Sequence, residues 1–329
     1  MHKCIVLFSG GLDSVIAAHL MRRQGVAPVA LHFILPFDRH AVQARQRIRS
    51  RAQQLDIPWV EYQEDQPFVD MVAHAASGYG KHVNPCIDCR ILRLRHAAAL
   101  MSRYDADFLV TGEVVGQRPM SQRRDALMRI EKHSELKGMI LRPLSAGLLP
   151  ETIAEQRGWV DRSQLWSLSG RSRKPQMAYA HEHGLSYDTP AGGCLLTQPA
   201  TAARIRDLQA HTERLTVTDF EAVAVGRHFR LSPEAKLIVG RDRGDNDRLT
   251  ALAQPDDHVL QMVSPAGPCG LVRGTVSAQQ LEHAAAITAR FSKGKHRSSV
   301  SMDVCTGHGH RSLTVTPASP QDCDRYRIE

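Results

Sequence analysis

No run of about 18 apolar residues occurs in the 329-residue sequence, and no cleavable signal pattern opens it. These absences exclude a membrane-spanning helix and leave the cytoplasm as the expected compartment, with no membrane partner. Aromatic residues are scarce, at 5%, so a surface that reads bases mainly by stacking is not expected. Internal repeats and low-complexity tracts are missing too, so neither a repeat array nor a disordered tail explains the length. An acidic excess is absent: the net charge is +8 and the pI about 9.3, which permits a polyanionic partner without demanding one. Most of that charge falls within residues 1–204. The apolar fraction of 42% and charged fraction of 23% are those of a globular protein long enough for two domains, expected at 1–204 and 205–329.

The stretch that organises the chain is Ser9-Gly10-Gly11-Leu12-Asp13-Ser14. It follows the apolar run Cys4–Phe8, which reads as a buried parallel strand, and precedes Val15–Met21, which reads as a helix. Paired glycines let backbone approach a ligand closely, and the N–H groups that open a helix favour an anion. Ser9 and Ser14 add hydroxyl donors for phosphate oxygens. Asp13 would be repelled by bare phosphate but suits a phosphate bridged by Mg2+. No Gly-Lys-Ser/Thr follows, which excludes a Walker A loop, and the spacing is not the dinucleotide GxGxxG.

Further strands are expected at Pro28–Ile34, Pro58–Tyr62, Asp107–Thr111 and Met139–Leu141, with helices at about 39–55, 89–103, 150–157, 174–183 and 200–213. Such alternation predicts an open parallel α/β sheet with ligands beyond the carboxyl ends of its strands. The loop at 9–14, the strand end at His32–Ile34 and the turn Thr111-Gly112-Glu113 all lie at such ends. From Phe220 onward, shorter strands around one or two helices predict a smaller α+β domain. Arg90, Arg93, Arg123, Arg124, Arg171 and Arg173 cluster beside these motifs, either as a solvated basic face or as a track for RNA phosphates. Cys86 and Cys89 stand three apart across a loop-to-helix junction, where the helix's positive end and Arg90 are expected to favour thiolate. Cys194 follows the glycine-broken stretch 189–193, which would let it fold back over the nucleotide loop. Cys4, Cys269, Cys305 and Cys323 have no paired spacing.

The loop at 9–14 resembles the SGGxDS signature of the PP-loop ATP pyrophosphatases, Rossmann-like adenine-nucleotide alpha-hydrolases that split ATP into AMP and pyrophosphate while joining AMP to a substrate oxygen. That resemblance implies ATP and Mg2+ as cofactors. It assigns Ser9, Gly10, Gly11, Leu12, Asp13 and Ser14 to ATP, with His32 and Gly112 near the adenine. The segments Asn84-Pro85-Cys86-Ile87-Asp88-Cys89 and Gly193-Cys194, with Gly112-Glu113 and Arg142-Pro143-Leu144 between them, are similar to the tRNA 2-thiouridylases and 4-thiouridine synthetases over residues 1–200. By that resemblance Cys89 and Cys194 are the working thiols and Asp13 supports catalysis. Cys86 is an extra thiol. The trio Cys86, Cys89 and Cys194 is also similar to tRNA thiolases in which three cysteines hold a [4Fe-4S] cluster, so cluster, persulfide relay and inert or zinc-bound thiols stay open. The C-terminal part resembles the R domain of NFACT-type proteins at Lys236–Asn246 and Ser264–Pro268.

The implied activity is ATP-dependent thiolation of a tRNA uridine, with cysteine desulfurase or sulfide as sulfur donor and a homodimer as one expected assembly. The sequence opens on the first strand, so an N-terminal RNA-binding region of the 4-thiouridine synthetase kind and a rhodanese domain are not expected. Two further readings remain: an adenylating enzyme for a small carboxylate or amide, and a non-catalytic RNA-binding protein with a relict ATP site.

Overall fold

The computed structural model describes residues 1–38, 41–188 and 194–329. The start of the helix expected at 39 and the glycine-broken stretch 189–193 therefore lie outside the described residues. Two compact units divide the chain, Met1–Cys194 and Leu195–Glu329.

In the first unit, β1 (Lys3–Leu7), β2 (Ala27–Ile34), β3 (Trp59–Gln63), β4 (Phe108–Thr111) and β5 (Ile140–Leu141) form one parallel sheet in the order β3-β2-β1-β4-β5. Around it run α1 (Leu12–Arg23), α2 (Val42–Gln54), α3 (Gln66–Ala73), α4 (Cys86–Ala99), α5 (Arg124–His133), α6 (Ile153–Gln156) and α7 (Lys174–Glu182). Both faces of β1 are buried because successive side chains point to opposite sides. Cys4 and Val6 pack with Val15, Ile16 and Met21 of α1 and Ile48 of α2, whereas Ile5 and Leu7 pack with Leu94 of α4 and Ile130 of α5. Helices thus cover both sides, as the unbroken apolar strands of a parallel sheet require.

Two helices differ from the sequence expectation. The helix expected from Cys89 begins at Cys86, with Pro85 as its N-cap residue. Asp88, in its first turn, accepts the Ser77 N–H at 2.8 Å and the Ser77 hydroxyl at 2.7 Å. The helix expected at 150–157 shrinks to the four residues of α6, whose start is fixed by the Thr152–Glu155 capping box.

The second unit holds α8 (Pro199–His211), α9 (Val217–Val223), β6 (Arg227–Ser232), β7 (Ala235–Val239), α10 (Arg243–Leu252), β8 (His258–Ser264), β9 (Gly270–Gly274), α11 (Ala278–Arg290), β10 (Val300–Thr306), β11 (Gly309–Val315) and α12 (Pro320–Tyr326). Its strands form a six-stranded antiparallel sheet, β11-β10-β8-β9-β7-β6. Leu281, Ala285 and Ile287 of α11 pack on Phe229, Leu237 and Leu260, while Leu249 and Leu252 of α10 pack with Ile238 and Leu271. This is a larger helical complement than the one or two helices expected. The division expected after residue 204 would cut α8. Instead Arg204 of that helix donates to the Val223 carbonyl at 2.7 Å and the Gly226 carbonyl at 3.1 Å, which ties α8 to the second unit.

Candidate active site

The sheet order reverses between β1 and β4, and the loops leaving their carboxyl ends open the crevice where α/β sheets bind ligands. After β1 the chain turns at Gly10, whose φ of +70° falls in the left-handed region. A side chain there would meet Ile48 and Arg51 of α2 at about 3 Å. Gly11 then serves as the N-cap of α1 without any side-chain cap, which leaves the first N–H groups of that helix uncapped. Ser9 and Ser14 flank the turn with their hydroxyl oxygens 3.2 Å apart, and Ser14 donates to the Gly11 carbonyl at 2.9 Å. Donors surround the turn, and the helix dipole favours negative charge above it.

Asp13 is the loop's one acid. Gln117 donates to its Oδ2 at 2.6 Å, Gln176 lies 3.4 Å from its Oδ1, and Gln176 also donates to the Gln117 Oε1 at 3.2 Å. Both glutamines are buried. Sequence reasoning missed them, because an amide carries no charge and these two stand 59 residues apart. Gly112, at the end of β4, packs so tightly on α1 that an added Cβ would sit 2.5 Å from the Asp13 carbonyl carbon and 2.6 Å from the Ser14 nitrogen. The next residue, Glu113, is fully buried. It accepts from Thr111 Oγ1 at 3.0 Å and from Arg142 Nε at 3.1 Å, and Arg90 lies 3.4 Å from its other oxygen. Burial alone would raise its pKa, but the two guanidiniums and the hydroxyl outweigh it and hold the carboxyl below its usual range.

These contacts bring α4, and with it Cys86 and Cys89, to the same end of the sheet as the loop at 9–14. The expectation that Cys86 would be a thiolate is not met. Burial pushes its pKa up, the Asn84 bond and Arg90 only partly offset this, and its Sγ donates to Asn84 Oδ1 at 3.2 Å. Arg90's charge is largely engaged by Glu113. On the other side of the loop, Asp188 pairs by an isolated bridge with Gly11 and is gripped by Arg51. Cys194 lies six residues beyond Asp188, a span of at most about 20 Å even when fully extended. Among the described residues no three His, Cys, Asp or Glu side chains converge into a metal-binding group. The described arrangement of Cys86, Cys89 and Cys194 is therefore not the three-thiolate cradle that a [4Fe-4S] cluster would need.

The other site residues divide clearly. His32 stacks on Trp59 with ring centroids 5.2 Å apart, and its Nδ1–H donates to the Phe8 carbonyl at 3.1 Å. Burial lowers its pKa, so the ring is neutral at pH 7. Arg93 lies over the Phe33 ring and 3.8 Å from the buried Glu64, so Arg90 and Arg93 are internal ion-pair members rather than a free phosphate track. Arg123, Arg124 and Arg171 are exposed and Arg173 is half-buried. Backbone bonds from Gly116 to the Gln122 carbonyl at 2.6 Å and from Gly170 to the Val115 carbonyl at 2.8 Å carry both pairs to the rim of the turn after β4.

Residues 1–155 match the family model described as thiamine biosynthesis protein (ThiI), and residues 226–327 match the NFACT protein RNA binding domain. The former match gives residues 1–155 the character of a PP-loop domain. The chain's relatives fall in the tRNA-thiolation branch, and its C-terminal domain is of the NFACT R type. The chain is 31% identical to the tRNA-specific 2-thiouridylase MnmA of Methylobacterium radiotolerans over 141 residues, 39% of this chain and 36% of that protein. It is 26% identical to the protein of the same name from Methylorubrum extorquens over 260 residues, 74% of this chain and 63% of that one. The first match thus spans little more than a third of its relative. Among solved structures, the U34-tRNA thiolase NcsA from Methanococcus maripaludis with its [4Fe-4S] cluster overlaps with a TM-score of 0.37 at 14% identity, over 68% of this chain and 70% of that one. A 4-thiouridine synthetase–RNA complex with bound ATP overlaps with a TM-score of 0.36 at 20% identity, over 56% and 50%.

In the PP-loop domain the motif residues cluster as described above. In the NFACT R-type domain two of the motif residues turn inward. Lys236 is buried 3.1 Å from Asp207, and Asn246 Oδ1 accepts the Cys269 N–H at 2.9 Å. Those two residues hold the domain together, whereas Arg241 and Arg243 of the same stretch are exposed. Among the described residues no helix is long and apolar enough to cross a membrane.

Proposed function

We propose that this protein is an ATP-dependent tRNA-uridine thiolase. The observation that carries the reading is the junction built by Gly112 and Glu113, which joins the phosphate-suited turn at 9–14 to the Cys86–Cys89 turn. ATP binds with its pyrophosphate over the turn, against the N–H groups of α1 and the hydroxyls of Ser9 and Ser14. Asp13 would hold Mg2+, which would supply charge neutralisation for pyrophosphate as a leaving group. The carbonyl oxygen of a uridine attacks the α-phosphate, pyrophosphate leaves, and the base carbon is primed for substitution.

Sulfur arrives as a persulfide on Cys89, whose thiolate takes the outer sulfur of a cysteine desulfurase persulfide and releases the desulfurase thiol. Its terminal sulfur attacks the primed carbon and AMP departs. The Cys194 thiolate then attacks the Cys89 sulfur, which breaks the S–S bond, frees the thiocarbonyl and leaves a Cys89–Cys194 disulfide. Hydrosulfide opens that disulfide and regenerates persulfide and thiol. Arg123, Arg124, Arg171 and Arg173 hold RNA phosphates at the rim, and the NFACT R-type domain contributes further RNA contacts.

The test supplies unmodified tRNA, ATP, Mg2+, sulfide and a cysteine desulfurase with cysteine, and measures both pyrophosphate and thiolated nucleoside by mass analysis. The unaltered chain should form both products. Cys89→Ala and Cys194→Ala should abolish sulfur incorporation while sparing pyrophosphate release, and Asp13→Ala should abolish both. Pyrophosphate release that is indifferent to RNA would overturn the reading in favour of a small-molecule adenylating enzyme.

A further inference from the structure

A cavity of about 540 Å³ opens between α5 and the segment that follows β5, along the edge of the parallel sheet. We propose that it binds a small organic carboxylate with an apolar body. The volume is that of a small-molecule site. Ile140, Leu141, Ala146 and Leu149 give it a buried apolar floor, where an alkyl or aryl group would leave water.

The polar lining decides the sign of the ligand. Two of its acids are already committed. Glu131 accepts from the Gly138 N–H at 2.7 Å and from Arg142 Nη1 at 3.0 Å. Glu155 accepts from Thr152 and from Arg162. The third, Glu151, is exposed at the rim. Among the cations, Arg142 already pairs with Glu113 and Glu131 but keeps one nitrogen open, and the two lysines are unpaired among the described residues. Arg142 is 2% exposed, its Nε and Nη1 are paired, and its Nη2 is buried with no hydrogen-bond partner. A buried guanidinium nitrogen left unpaired is costly, and an incoming acceptor relieves that cost. Lys132 and Lys137 line the cavity, are exposed, and enter no ion pair among the described residues. A monoanion fits this set better than a phosphate dianion, because Glu113 and Glu131 both share the same guanidinium and would repel the second charge.

The test titrates the full chain with octanoate and with 2-naphthoate by calorimetry, with octanol as the uncharged control. Saturable one-to-one binding of at least one acid is expected, well above any binding of octanol. The double variant Lys132→Ala/Lys137→Ala should weaken that binding about tenfold with an unchanged melting temperature, since both side chains are exposed. Failure of both acids to saturate, equal binding of octanol, or full affinity in the lysine variant would each overturn the proposal.

Discussion

Arg51 grips Asp188 with two parallel hydrogen bonds of 2.7 Å each, and the Asp188 N–H lies 3.5 Å from the Gly10 carbonyl. A buried guanidinium on α2 thus moors the chain that leads to Cys194 against the nucleotide turn. The fork geometry of such a pair adds direction as well as energy. The Arg51 hydrogen bond holds the Asp188 carboxyl below its ordinary pKa of 3.8. The pair's stabilisation is therefore present above that value and is lost as pH falls through the lowered one. Asp188→Ala should cost about 1–2 kcal/mol, a figure kept low because Asp188 is half exposed. In urea denaturation the loss appears as a lower midpoint. Sulfur incorporation should fall more than pyrophosphate release, because the mooring serves Cys194 more than ATP. An equal fall in both would argue against that division of labour.

Gly112 offers a steric test. Its missing Cβ would overlap the Asp13 and Ser14 backbone, which has no rotamer with which to yield, whereas a Cβ on Gly11 would meet only Ser9 Oγ at 3.5 Å. Gly112→Ala should cost about 1–3 kcal/mol from overpacking and displace the start of α1, with loss of pyrophosphate release. Gly11→Ala, at a φ of −77°, should fold normally. Equal behaviour of the two variants in thermal melts and pyrophosphate assays would refute the close approach.

The two buried glutamines give the sharpest test of the Asp13 assignment. Gln117→Leu and Gln176→Leu keep volume but remove the donors that orient the carboxylate. With Mg2+ drawn to an undirected Asp13, the metal concentration for half-maximal pyrophosphate release should rise about tenfold for Gln117→Leu. The rise should be smaller for Gln176→Leu, whose bond to Asp13 is longer. A lower melting temperature with an unchanged Mg2+ requirement would mark the glutamines as packing residues only.

The nucleotide turn was legible because its signal is local: an apolar strand, two glycines and a helix within about 20 residues carry their own geometry. The open parallel sheet followed from strand and helix alternation, whereas its order, with the reversal at β1 and β4, came only with the fold. Glu113's network was not legible, because Arg90, Glu113, Arg142 and Glu131 meet only after the chain folds, and Arg90 in sequence looks like any exposed basic residue. Cys86 illustrates the same limit. Helix position and a neighbouring arginine predict a thiolate, but burial outweighs the arginine. Lys236 and Asn246 mark only the ends of a motif stretch in sequence, and the fold reveals them as internal struts.

His228 makes the C-terminal domain sensitive to acid. Its ring is fully buried on β6, Nε2–H donates to the Val225 carbonyl at 2.8 Å, and burial, with Lys236 and Arg204 nearby, lowers its pKa well below the ordinary 6.5. The unfolded chain takes up a proton below pH 6.5 while the folded domain does not, so stability falls as pH drops below that value. The slope from this one group reaches about 1.4 kcal/mol per pH unit. Above pH 7 both states are neutral and the group contributes no slope. The substitution His228→Gln keeps a donor for the Val225 carbonyl but cannot titrate, so the fall in melting temperature between pH 6.5 and 5 should flatten. A variant that tracks the unaltered protein across that range would show that the acid sensitivity resides elsewhere.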